Sequence, residues 1–185
     1  YDSDPNKIYY NNLSGYSISK GASFQINQSF AIPLNITIGG TFIDIYSITN
    51  GEKNIELFAP SFSGVFSIGY EWPLKRIKID YTGQVVGPMH LPTFGEEWAR
   101  EKISPWYSVQ HLKAEKTINK KISTYIAVRN MFNFTQGSPL IDAAAGSSSE
   151  TNESWQAGFS PNFDTSYIYG PTRGRRYLVG VRWKW

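Results

Sequence analysis

The sequence predicts an all-β protein: a transmembrane antiparallel β-barrel, to which this chain contributes about seven strands. Three observations support this fold class. Apolar and polar residues alternate along successive segments, short and long connections alternate between those segments, and aromatic residues cluster near both ends of them. Alternation with a period of two is the pattern of a strand with one apolar and one polar face. Sorted connections and two aromatic belts are typical of outer-membrane barrels.

Each predicted strand is justified by its own alternation. Apolar side chains take the even positions in the first three segments, the odd positions in the fourth, the even positions in the sixth and the odd positions in the last. In the fourth, for example, Ile77 and Ile79 stand between Arg76, Lys78 and Asp80. The predicted strands are 16–30, 34–46, 62–72, 76–84, 106–118, 122–134 and 175–185.

Two positions interrupt the pattern. In the fifth segment the apolar residues change parity between Val109 and Leu112, which predicts a β-bulge near Gln110 and His111. In the first segment Lys20 occupies a position that the alternation reserves for an apolar side chain. We therefore expect a locally irregular strand at the first site and a lysine on the apolar face at the second.

The connections separate a barrel from a soluble sandwich. Tight turns are expected around 31–33, 73–75 and 119–121, and long loops over about 47–60, 86–104 and 135–174. Because adjacent antiparallel strands reverse direction, all the tight turns lie at one end and all the long loops at the other. Short periplasmic turns and long extracellular loops are the arrangement found in outer-membrane barrels.

Aromatic residues support the same orientation. Phe30, Trp72 and Trp183 lie at the tight-turn end, whereas Phe42 and Trp106 are among a larger group near the long-loop end. Aliphatic residues lie mostly between the two groups. Amphipathic rings favour the two membrane interfaces, so the pattern indicates two girdles around a lipid-facing belt. An ordinary preference of aromatic residues for strands is the alternative explanation.

Composition excludes several classes of site. The chain has no cysteine, so disulfides, thiolate metal sites and cysteine catalysis are excluded. The net charge is only +3 and the basic residues are scattered, so no nucleic-acid partner is expected. Glu96, Glu97 and Glu101 are expected to be solvated loop charges, and Met89 with His90 is too small a set for a metal. We predict no catalytic residue, no metal site and no cofactor.

Four segments of the sequence resemble those of a known family. IAVRNMFNF (126–134) is similar to the penultimate strand of TonB-dependent outer-membrane receptors, and YIYGPTRGRRYLVGVRWKW (167–185) is similar to their last strand. NLSGYSISKGASFQI (12–26) and VVGPMHLPTF (85–94) resemble segments of Bacteroidetes-type members. Met131 and Asn133 replace the more common Leu and Asp of the family motif. The resemblance covers residues 1–185 as the C-terminal part of such a receptor barrel.

The resemblance implies a larger assembly. Barrels of this family have about 22 strands around a plugged lumen, so these strands would be the last of them. It implies these partners: the remaining barrel strands and the plug domain of the same receptor, the TonB complex through an N-terminal part that is absent here, the barrel-assembly machinery and outer-membrane lipid. It also implies a fragment located in the outer membrane of a Gram-negative bacterium.

The implied function is active uptake of a large solute, such as an iron chelate, haem or cobalamin, with energy supplied through TonB. A barrel that anchors surface loops for adhesion or for a structural role is the alternative. An enzymatic outer-membrane barrel would need a nucleophile and a base at one outer strand end, and the sequence shows no such set.

Two groups of residues are candidate sites. In the resembling barrels the last strand is recognised by the assembly machinery, which assigns that role to Tyr177, Val179, Val181, Trp183 and Trp185. Four residues of the last long loop and the strand entry combine aromatic rings with cations, which suits an anionic or aromatic solute at the outer mouth. These candidate solute contacts are Tyr167, Tyr169, Arg173 and Arg175. A lid that only packs over the barrel is the alternative.

Overall fold

One antiparallel sheet makes up the framework of the described residues. The computed structural model describes residues 14–92, 101–136 and 167–184. The strands are β1 (Gly15–Ser29), β2 (Leu34–Thr49), β3 (Glu52–Ile55), β4 (Phe62–Trp72), β5 (Ile77–Val86), β6 (Tyr107–Thr117), β7 (Ile122–Arg129) and β8 (Arg176–Trp183). The all-β class and the seven predicted strands are confirmed, except that β7 ends at Arg129 and not at residue 134, and β3 is additional.

The strands form a meander. Their order in the sheet is β1-β2-β4-β5-β6-β7-β8, every pair is antiparallel, and β3 pairs with β2 outside this path. Each long strand therefore pairs with its neighbours along the chain. Among the described residues, β1 and β8 each have a strand on one side only.

The tight turns lie at one end and are fixed by local chemistry. A 3-10 turn, Pro73–Lys75, joins β4 to β5, and Arg76 closes it with a φ of 53°. Between β6 and β7 the side-chain oxygen of Asn119 accepts hydrogen bonds from the backbone N–H groups of Lys121 and Ile122 at 2.8 and 2.9 Å. The long connections, 50–61, 87–106 and 130–175, begin and end at the opposite end, which we call the long-loop end.

The strand β3 lies within residues 47–60, where the sequence analysis expected a loop. The structure extends β2 to Thr49 and then turns back through Asn50 and Gly51, whose φ values are 53° and 83°. Positive φ at both central residues defines a two-residue hairpin turn of the type that Asn-Gly favours. Asn50–Gly51 is thus the local sequence signal for this hairpin.

The bulge expected near Gln110 and His111 is absent from β6, so that prediction is wrong. Pairing with β5 runs without interruption from Lys116 to Tyr107. The irregularity lies instead at the end of β7, where Asn130 has a φ of 51° and the N–H of Met131 donates to the carbonyl of Gln110.

The two faces of the sheet differ in polarity and in what covers them. One face, the apolar face, exposes a row of aliphatic side chains that cross-strand pairing places side by side. The other, the polar face, carries most of the charged strand residues. Exposed members of the apolar face include Ile26, Ile38, Ile79, Ile126 and Val179, the last being 82% exposed. An apolar sheet face without a protein layer over it must meet another apolar environment.

Near the long-loop end the contrast in polarity between the two faces is weaker. On the apolar face, Lys20 of β1 lies directly opposite Asp44 of β2, and Gln110 accepts a hydrogen bond from Tyr81. On the polar face, Val109 is buried. The apparent change of parity in β6 therefore reflects a change of surroundings along a regular strand.

Candidate functional site

Segments of the long connections pack into one layer at the long-loop end. The N–H of Phe58 donates to the carbonyl of His90 at 2.9 Å, and the N–H of Leu91 donates to that of Lys102 at 2.9 Å. Ser104, which is 2% exposed, donates its N–H to the carbonyl of Met89 at 2.9 Å. We call this assembly of residues 56–61, 87–92, 101–106 and 167–171 the loop layer.

The loop layer has its own hydrophobic core. Met89, Leu91 and Tyr167 are 5%, 3% and 5% exposed and pack together. Partly buried residues from the strand ends and the last loop surround them, namely Val86, Tyr107 and Tyr169. Because these residues come from distant parts of the chain, the core connects the loops to the end of β5 and the start of β6.

Gln136 links the last long connection to this core. It is 7% exposed, and its side-chain oxygen accepts hydrogen bonds from the N–H groups of Tyr169 and Gly170 at 2.8 and 2.7 Å. Its side-chain nitrogen donates to the carbonyl of Tyr167 at 3.2 Å. A buried amide that is satisfied on both sides fixes the backbone around it. Sequence analysis missed Gln136, since its partners lie more than 30 residues away.

The candidate solute contacts fall into two groups. Tyr167 and Tyr169 lie together with ring centroids 6.2 Å apart, and the Tyr167 hydroxyl donates to the carbonyl of Glu101 at 2.6 Å. Arg173 and Arg175 lie instead beside the end of β7. The structure therefore brings the two tyrosines into the loop layer and leaves the two arginines exposed at its margin.

Two asparagines organise that margin. Asn130 is 6% exposed, and its side chain donates to the carbonyls of Phe134 and Arg173 at 2.6 and 3.2 Å. Asn133, with a φ of 59°, accepts a hydrogen bond from the N–H of Arg175 at 2.8 Å. Both adopt the left-handed conformation that asparagine tolerates better than most residues. The NMFN segment at 130–133 thus positions the start of the last strand.

Charges on the polar face are mostly paired. Glu115 lies 2.9 Å from the Arg182 guanidinium and 2.6 Å from the Lys113 ammonium group, and it accepts a hydrogen bond from the Ser123 hydroxyl at 2.9 Å. Closer to the tight turns, Lys78 lies 3.5 Å from Asp80. These contacts show a structural network on this face.

The last strand exposes its apolar residues on one face of the sheet. Tyr177, Val179, Val181 and Trp183 are 71%, 82%, 70% and 65% exposed, all on the apolar face. Trp185, the fifth residue of the predicted assembly signal, lies outside the described residues. The strand pairs with β7 from Arg176 to Trp183.

The acidic and metal-binding candidates make no catalytic or metal site within the described residues. Glu96 and Glu97 lie outside the described residues, whereas Glu101 contributes its backbone carbonyl to the loop layer. Within the described ranges, no group of three or more His, Asp or Glu side chains could hold a metal ion. The same ranges contain no helix that is long and apolar enough to span a membrane.

Comparisons with known proteins identify the fold. No protein-family model matches the sequence, and no curated protein sequence matches it. Among solved structures, the chain is similar to the siderophore receptor PiuA of Acinetobacter baumannii, with a TM-score of 0.61 and 14% identity over 92% of this chain and 22% of that one.

Two further structures show the same likeness. FpvA of Pseudomonas aeruginosa, bound to a pyoverdine and iron, gives a TM-score of 0.62 and 19% identity over 90% of this chain and 19% of its own. The ferric-catecholate import receptor Fiu of E. coli K12 gives a TM-score of 0.60 and 13% identity over 91% of this chain and 21% of its own. The chain thus spans about a fifth of each receptor. The expected likeness to TonB-dependent receptor barrels is confirmed at the level of fold.

Proposed function

We propose that this chain is the C-terminal part of the barrel of a TonB-dependent outer-membrane receptor that takes up a large solute. The exposed apolar face of a sequential antiparallel meander carries the proposal. The likeness in fold to three receptor structures supports it. In this assignment the apolar face meets lipid, the polar face lines the lumen, and the loop layer is extracellular.

The open sides of the sheet argue for more strands. A strand edge in a membrane leaves backbone N–H and C=O groups unpaired, at a cost of several kcal/mol for each group. In the proposed receptor β1 pairs with a preceding strand, β8 pairs with the first strand of the barrel, and about 22 strands close around a plug. Energy then reaches the solute through TonB and the N-terminal part of the receptor.

An iron chelate is the proposed class of solute, and the structural neighbours support it. PiuA, Fiu and FpvA are described as receptors or complexes for siderophores, ferric catecholates or a ferric pyoverdine. Among iron chelates, haem and cobalamin, these neighbours favour an iron chelate. Tyr169, Arg173 and Arg175 are proposed to contact it from the margin of the loop layer, and Tyr167 to support them from its core.

Assignment of the chain to the Bacteroidetes-type receptors stays a prediction. Residues 12–26 and 85–94 resemble Bacteroidetes-type members, and the structural comparisons do not support this specification. Recognition of the last strand by the barrel-assembly machinery is likewise proposed from the resemblance and from the outward apolar side chains of β8.

Uptake measurements test the function. A strain that lacks the receptor gene should lose TonB-dependent accumulation of radioactive iron supplied as a siderophore, and the intact gene should restore it. A gene from which the β8 residues are deleted is the matched control, since it should not assemble. Unchanged uptake of iron chelates, haem and cobalamin, together with loss of surface attachment, would instead support the adhesion alternative.

A further inference from the structure

Two arginines face each other across the last two strands. Arg129 of β7 and Arg176 of β8 form a directly opposed pair on the polar face, next to the long-loop end. Like charges in directly opposed positions destabilise a sheet. Both side chains are exposed, and within residues 14–92, 101–136 and 167–184 neither has a carboxylate at ion-pair distance.

Other cations on the same face lie beside carboxylates. Lys113 and Arg182 share Glu115, and Lys78 is paired with Asp80. Within the described residues, the arginine pair therefore adds two positive charges that have no ion-pair partner. Because the paired cations lie toward the tight turns, the polar face becomes more positive in the direction of the long-loop end.

The pair lines a hollow between β5 and β8. The hollow has a volume of about 940 Å³, and His111, Tyr125 and Leu178 contribute to its wall, together with the charged residues Asp80, Lys113 and Arg182. The Nδ1 atom of His111 accepts a hydrogen bond from the N–H of Asn130 at 3.1 Å. The imidazole proton of the neutral ring therefore resides on Nε2, which leaves that group as a donor.

We propose that Arg129 and Arg176 bind one oxyanion in this hollow, with His111 as a further donor. Guanidinium groups present paired N–H donors that match carboxylate and phosphate oxygens, and an anion between them converts their repulsion into two attractions. The inference deepens the proposed function and rests on it in one respect, namely that the hollow opens into the lumen of a receptor barrel. The oxyanion belongs either to a solute that enters from outside or to an acidic side chain of the plug.

Thermal unfolding of the whole purified receptor in detergent tests the site without measuring uptake. Citrate and, separately, inorganic phosphate are the probes, compared with chloride at equal ionic strength. The variant is Arg129→Gln with Arg176→Gln, and the control is Lys78→Gln, a cation on the same face outside the hollow. If the double variant does not assemble, Arg129→Gln and Arg176→Gln are each compared with Lys78→Gln in the same way.

With an external oxyanion, a probe raises the unfolding midpoint of the wild type and of Lys78→Gln by at least about 1 °C, and the double variant does not respond. With a plug carboxylate in place, no protein responds to the probes, but the double variant unfolds below Lys78→Gln. If no anion occupies the site, the double variant instead unfolds above Lys78→Gln, because removing the two charges then only relieves their repulsion. Equal responses of all three proteins, or a double variant that is unresponsive and at least as stable as the wild type, would overturn the proposal.

Discussion

Phe66 of β4 and Gly83 of β5 are directly opposed on the apolar face, and the ring of Phe66 lies over the glycine. A Cβ atom at Gly83 would lie 2.5 Å from the ζ carbon of that ring. The same ring meets Tyr81 edge-on, with centroids 5.3 Å apart. Glycine is thus required here so that an aromatic side chain can lie flat along the sheet.

Gly83→Ala should therefore displace the Phe66 ring and lower the free energy of unfolding of the assembled receptor by about 1–3 kcal/mol. The measurement is the urea midpoint of the folded, heat-modifiable form. Gly69→Ala is the control, since a Cβ there meets only an ordinary contact, 3.5 Å from Asp80. Equal losses from the two substitutions would show that ring packing over Gly83 contributes nothing specific.

A charge on the lipid side should be costly. Val179→Arg, on the apolar face, is expected to reduce receptor stability by roughly 2–4 kcal/mol if it lies near the bilayer midplane. Val65→Arg is the matched control, because Val65 is also exposed, at 57%, but lies on the polar face. Folding titrations in lipid vesicles measure both. Similar costs at the two positions would contradict the assignment of the faces.

The Glu115 network predicts a salt-dependent loss. Glu115→Gln removes the charge that Lys113 and Arg182 share, so we expect a loss of about 1–2 kcal/mol that shrinks as salt is added. Glu71→Gln is the control, since Glu71 is 61% exposed and lies 4.0 Å from Lys78. Unfolding titrations at two ionic strengths measure the difference. A salt-independent loss would mean that shape rather than charge matters at Glu115.

Packing and solute binding can be separated in the loop layer. Tyr167→Ala should open the core around Met89 and Leu91, at a cost of about 2–4 kcal/mol, and speed amide hydrogen exchange at Leu91 and Ser104. Arg173→Gln should leave that exchange unchanged and weaken solute binding. If Arg173→Gln leaves the affinity unchanged while Tyr167→Ala speeds exchange, the loop layer is a packing lid only.

The last strand should matter for assembly more than loop length does. Burial of a large apolar side chain in hydrocarbon contributes about 1.5–3 kcal/mol. Deletion of residues 183–185 is therefore expected to reduce the amount of assembled receptor far more than deletion of residues 147–149. Quantifying heat-modifiable receptor in outer-membrane fractions measures both. Equal yields would argue against a terminal assembly signal.

Strand positions could be predicted because one local property determines them. A face that meets an apolar environment requires an apolar side chain at every second residue, so the pattern of Ile122, Thr124 and Ile126 indicates a strand without knowledge of its neighbours. Where the surroundings change along one strand, the same argument fails. The parity change at Gln110 therefore suggested a bulge that the backbone does not contain.

The arrangement of the loops depends on contacts that the sequence does not indicate. Tyr167 was proposed as a solute contact because aromatic residues and arginines alternate around it, yet its hydroxyl bonds to Glu101, 66 residues away. Nothing local distinguishes a buried tyrosine from an exposed one in such a loop. The β3 hairpin is different, since Asn50–Gly51 is a local signal that was available.

The meander has a consequence for how the sheet forms. Besides the short β2–β3 hairpin, three hairpins of long strands, β1–β2, β4–β5 and β6–β7, are closed by turns of a few residues, so their pairing requires little loop-closure entropy. Joining one hairpin to the next means closing a long connection first. Folding should therefore proceed by hairpin units that are added side by side. Because the entropy of closure grows only slowly with length, at about 0.6 kcal/mol for each doubling, the long connections can change in length and sequence over evolution while the order of the strands is preserved.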